Sequence, residues 1–131
     1  MNLIEMIAKH LEFCEIGVYA SQEEPGDIFF GHMPDEPDNA VCVFSSNSGV
    51  AGSDAAARVQ IMTRGPVGDV RTPYERACAI TGELDGFSGY LCGDGPYARF
   101  DTVNSAQGMG MDDRGRELYT SNYTVAYCDM D

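Results

Sequence analysis

Basic residues are scarce in this chain: eight Lys and Arg stand against 21 Asp and Glu, a net charge of −13. Surfaces that grip nucleic acid are built from clustered Lys and Arg, so a general phosphate-binding face is excluded. Lysine occurs once, as Lys9, against seven arginines. Histidine occurs twice, as His10 and His32, which leaves a Ser-His-Asp or Cys-His constellation few choices. No apolar run approaches the roughly 20 residues that cross a bilayer, so no membrane partner is expected. The five cysteines, Cys14, Cys42, Cys78, Cys92 and Cys128, show no paired spacing. An odd count without a framework reads as reduced thiols in a cytosolic setting. Glu5, Lys9, His10 and Glu12 interrupt the apolar pattern at the N-terminus, which fits neither a secretion signal nor a transit peptide.

The residues that could carry chemistry are few, and each falls short. His10 and Cys14 stand one helical turn apart, but a structural zinc site wants four ligands and no second pair exists. Asp35-Glu36 and Asp112-Asp113 lack the spacing of a calcium loop. Gly93-Asp94-Gly95 is too short for a phosphate loop, and Ser45, Ser46 and Ser48 form no nucleophile elbow. No catalytic residue, metal or cofactor is expected, and the chain does not read as an enzyme.

What is present is a well-patterned fold. Residues 2–15 carry an apolar helical face of Leu3, Ile4, Met6, Ile7, Leu11 and Cys14. Ile28-Phe29-Phe30 reads as a strand, and the continuous run 40–44 as a central strand buried on both faces. In 57–64, Val59, Ile61 and Thr63 share one face while Arg58, Gln60, Met62 and Arg64 share the other. Gly65-Pro66 is expected to stop that strand. Thr72-Pro73-Tyr74-Glu75 has the form of a capping box opening a helix over 72–87, with Tyr74, Ala77, Cys78, Ile80, Thr81, Leu84 and Phe87 on its apolar face. Strands follow at 97–103 and 116–128, the second carrying Tyr119, Tyr123, Val125 and Tyr127 on one face, a stripe that reads as packing under a helix. Residues 45–56 and 104–111 read as long loops suited to partner contacts. The expected fold is α+β: a mostly antiparallel sheet of four to five strands, with both helices packed on one face and residues 1–131 forming one domain.

The strand Arg-Val-Gln-Ile-Met-Thr-Arg-Gly at 58–65, followed by Tyr-Glu-Arg-Ala-Cys-Ala-Ile-Thr-Gly-Glu-Leu-Asp-Gly-Phe-Ser-Gly at 74–89, resembles the small tail-terminator or minor capsid proteins of long-tailed bacteriophages. The block from Gly110 to Arg116, the strand through Asn122-Tyr123-Thr124-Val125 and the short N-terminal helix are similar in the same way. The resemblance implies a virion protein of the tail neck, assembled in the host cytoplasm. It implies a homo-oligomeric ring, a hexamer, that caps the tail tube and meets the head-side connector while DNA passes through without specific binding.

Within that expectation, the candidates for a subunit or partner interface are Arg58 and Arg64, on the polar face of their strand, and Asp112, Asp113, Arg114 and Arg116 around a turn. Arg favours paired contacts with carboxylates, within or between subunits. Asp54, Asp129 and Asp131 are the candidates for the pore or its rim, within acidic or mobile segments 45–56, 104–113 and 129–131. The acidity itself has two readings, solubility or a channel wall that repels phosphate. An acidic DNA mimic that inhibits a basic protein, and another head–tail completion protein, stay open as alternatives.

Overall fold

The structure, a computed structural model, describes residues 2–45 and 56–128. The elements run α1 (Leu3–Phe13), β1 (Ile28–Phe30), β2 (Ala40–Ser45), β3 (Ala56–Val67), α2 (Arg71–Leu84), β4 (Ser88–Tyr90), a 3-10 turn (Leu91–Gly93), β5 (Tyr97–Met111) and β6 (Arg116–Cys128). The strands form one six-stranded sheet in the order β1-β2-β3-β6-β5-β4. That is one or two strands more than the sequence suggests. It is also mixed, because β1 runs parallel to β2 with Ile28 opposite Val41. Three-residue β1, expected from Ile28-Phe29-Phe30, and β4, too short to carry a pattern of its own, are held by pairing with longer neighbours.

Both helices lie on one sheet face, as the patterning requires. Ile7 and Leu11 of α1, with Ile80 and Leu84 of α2, meet Val41, Val43, Val59, Ile61, Phe100, Tyr123 and Val125 in one buried cluster. Each such aliphatic side chain contributes about 1.5–3 kcal/mol of transfer free energy. Two tyrosines of the stripe pack under α2: the Tyr123 hydroxyl lies 2.7 Å from Thr81 Oγ1, and the Tyr119 ring meets Tyr74 edge-on at 5.5 Å. Helix α1 is opened by Asn2, whose side chain accepts from the Glu5 N–H at 2.8 Å.

Four local expectations are corrected. Gly65-Pro66 does not stop β3; the strand continues to Val67 through a register shift between Arg64 and Val67. A bulge leaves Pro66 outside the paired register, so its missing N–H costs no ladder bond. Gly65 is needed there for a different reason: a Cβ would stand 2.6 Å from Pro73 Cδ. Helix α2 begins at Arg71, and its first turn is tied to Asp69 instead of Thr72. Asp69 accepts from the Thr72 N–H at 3.0 Å and from the Thr72 hydroxyl at 2.6 Å, so the hydroxyl that would accept in a capping box is here a donor. A carboxylate outcompetes a hydroxyl as acceptor because the bond is charge-assisted. Tyr74 and Cys78, placed on the buried face by spacing, are exposed. Residues 104–111 are strand, not loop: β5 pairs with β6 as far as Met111 opposite Glu117, with three register shifts. The reading of 45–56 as a loop falls on residues 46–55, outside the described residues.

Candidate functional site

On the sheet face away from the helices, the connection from Gly31 to Asn39 is fastened by two buried arginines. Arg64, on β3, is 5% exposed. Its guanidinium donates to the carbonyls of Pro34 at 2.7 Å, Pro37 at 2.6 Å and Asp38 at 3.1 Å. Arg116, the first residue of β6, is 2% exposed. It donates to Asp112 Oδ2 at 2.8 Å, Asp35 Oδ1 at 2.9 Å, the Asp35 carbonyl at 2.7 Å and Asp38 Oδ1 at 3.1 Å. Arg114 reaches the second oxygen of Asp35. Two cations, Arg114 and Arg116, thus meet three carboxylates, Asp35, Asp38 and Asp112, and with Arg64 held on carbonyls beside them the formal charges of the cluster cancel.

The local sequence makes the turn that brings these groups in. Asp112 accepts from the N–H groups of Arg114 and Arg116 at 3.0 and 2.9 Å, and Gly115 supplies the positive φ of 83° that closes the hairpin. Burial works against the Asp112 carboxylate, but those N–H groups and the Arg116 guanidinium outweigh it and hold its pKa below the usual range. Burial likewise opposes the charge on Arg116, and bonds to Asp35, Asp112 and Asp38 overcome it. Arg64 has its pKa lowered, first by burial and then by the neighbouring charge of Arg116.

This geometry changes the standing of the arginines and acids read as an interface. Arg64, Arg116 and Asp112 come together within one subunit, and Arg64 is not free to reach a neighbour, contrary to its placement on an open face. Its burial could not be seen because Pro34, Pro37 and Asp38 lie far from it in sequence. Arg58, Asp113 and Arg114 are exposed. Asp54, Asp129 and Asp131 lie outside the described residues.

A second polar junction ties the N-terminal segment to α2. Arg76 donates to Asp27 Oδ2 at 2.6 Å and to the Ile16 carbonyl at 3.1 Å. Gly17 is required beneath it, since a Cβ would lie 2.3 Å from the Arg76 nitrogen. Under α1, His10 Nδ1 accepts from the Cys92 N–H at 2.8 Å, and Nε2 faces Cys14 Sγ at 3.5 Å. Nδ1 is therefore unprotonated and the ring is the neutral Nε2–H form. Burial lowers the His10 pKa against the opposing pull of Glu83. Burial and Glu83 push the Cys14 thiol up to about 11. Both ring nitrogens are thus engaged in structural contacts, and among the described residues no group of three His, Cys, Asp or Glu side chains is placed to hold a metal. Nor is any described helix long and apolar enough to cross a membrane.

The surface that composition could not reveal is the β5–β6 arm. β4 covers only Tyr97–Arg99 of β5, and Phe100 bonds to Gly86 and Phe87. Beyond Phe100, no other backbone pairs with the outer edge of β5 among the described residues. That edge exposes Val103, Met109 and Met111, at 52, 56 and 65%. The signal for it was present in the sequence, as a stretch from Thr102 to Met111 with no ionisable residue.

No curated protein matches the chain. The family model described as bacteriophage tail terminator protein matches residues 14–128, which takes in every strand of the sheet, helix α2 and the arginine cluster. The chain belongs to the bacteriophage tail terminator family and is a structural protein of the phage tail.

Proposed function

We propose that the protein assembles as a closed homo-oligomeric ring, a hexamer, on the head-proximal end of the tail tube. There it ends tube polymerisation and presents the surface to which the head-side connector joins. Family membership across residues 14–128 is the observation that carries this reading. A ring of one chain needs a heterologous interface whose rotation closes.

The charge balance supports a conduit role. Each subunit brings a surplus of 13 negative charges, and a ring concentrates them around a narrow lumen. A wall of that sign repels phosphate, whereas a basic ring would hold the genome through counterion release. The arginine cluster adds no positive patch: Arg114 and Arg116 are met by carboxylates, and Arg64 is buried on the carbonyls of Pro34, Pro37 and Asp38. Asp54, Asp129 and Asp131 are proposed for the lumen or rim, and Arg58, Asp113 and Arg114 for contacts with a neighbouring subunit or the tube.

Negative-stain imaging of the pure protein, alone and with its tube protein, tests the ring. Rings of uniform diameter, seated on tube ends and limiting tube growth, are the expected result. Tubes that elongate unchanged in its presence refute the proposal.

A further inference from the structure

We infer that the open edge of β5, from Thr102 to Met111, is the seam between subunits, taking an extended segment of a second copy of this chain by strand addition. The inference rests on the ring reading above and names its contact. A free strand edge is a row of unpaired N–H and C=O groups, and natural sheets shield such rows with charges, proline or cover. This edge has no proline and no charge along ten residues, in a chain that is 22% charged. Its bulges bend the strand without covering it. The apolar surface continues inward from the edge: Gly108 stands beside the Tyr119 ring, which meets Tyr74, itself 47% exposed.

Charge identifies the occupant. A partner of opposite sign would gain from facing the carboxylates of this acidic chain, and a docking edge for it would carry them. A second copy brings the same −13, so copies meet at least cost where ionisable groups are missing. Beyond Thr102, whose hydroxyl donates to Asp85 Oδ1 at 2.6 Å, the edge to Met111 carries no ionisable side chain and is such a place. Main-chain bonding supplies the attraction there and needs no complementary side-chain charge.

The test uses the full chain and the double variant Val103→Glu, Met109→Glu. Both side chains are more than half exposed, so the fold should survive, as near-UV circular dichroism and melting will show. Sedimentation and imaging report assembly, and hydrogen exchange reports the amides of 102–111. The expected result is slow exchange of those amides in the wild-type ring and assembly weakened roughly tenfold or more in the variant. Wild-type rings with fast exchange along 102–111, or a variant that assembles normally, overturn the seam and leave the ring intact. A variant that forms rings but no longer caps tubes assigns the edge to the tube protein and overturns the second copy as occupant. A wild-type chain that stays monomeric, alone and on tube ends, removes the ring and the seam together.

Discussion

Arg116 is almost wholly buried yet fully paired, and its loss should be felt at a distance. Arg116→Met leaves Asp35, Asp38 and Asp112 without their shared cation. Removing one partner of a buried ion pair costs about 3–5 kcal/mol. Here Asp35 and Asp38 are 69 and 46% exposed and can return to water, so about 2 kcal/mol is expected. Hydrogen exchange should quicken across 31–39 while β3 and β6 stay protected. His10 gives a separate pH signature. Its folded pKa lies below the ordinary 6.5 through burial, so its contribution is complete above 6.5 and is lost as pH falls from there through the lower folded value. Asp112, whose folded pKa is also lowered, contributes above 3.8, and that contribution is lost as pH falls through its folded value. Melting temperature against pH should show both losses. In His10→Gln the first should vanish, since the Gln oxygen still accepts from the Cys92 N–H but does not titrate.

At the scale of elements, the buried face of β3 carries the largest penalty. Ile61 is 2% exposed in the middle of the core, so Ile61→Asp places an unpaired charge there and should cost at least about 4 kcal/mol. Wild-type melting of that variant would mean that the strand presents its other face. The period-two signal of β3 and β6 was legible because the helix-side face is mostly apolar, broken only by the small hydroxyls of Thr63 and Ser121, and α1 and α2 were legible from their single apolar stripes. The outer half of β5 was not. Asn104, Ser105, Gln107, Gly108 and Gly110 are poor strand formers, and the segment is extended only because β6 pairs with it. The arginine cluster was equally hidden, since Arg116 meets Asp35 and Asp38 across 78 to 81 residues of chain. Pattern reports which face a residue takes, and long-range pairing decides what waits for it there. For this reason a charge reversal that tests contacts with a neighbouring subunit or the tube belongs at the exposed Asp113; the same change at Asp112 would break the hairpin turn first.

For the whole molecule, the expectation of reduced thiols becomes a graded one. Thiol counting in denaturant without reductant should return five. In the native state, exposed Cys78 and Cys128 should react first, while burial pushes Cys42 up to about 12 and keeps it slow. A stable disulfide would contradict this. The conduit role predicts that rings leave duplex DNA unshifted in a mobility titration at about 150 mM salt, the range in which basic binders still retain it. The order of the strands carries a further consequence, for synthesis. Of the six described strands β6 leaves the ribosome after the other five, yet it sits in the middle of the sheet between β3 and β5. Until it arrives, β3 and β5 have no common neighbour, and Arg116 cannot fasten the 31–39 connection. Folding must therefore wait on contacts between distant parts of the chain, which makes it slow for its size. A chain interrupted before Arg116 lacks the centre of its own sheet, so incomplete subunits are barred from assembly by topology alone.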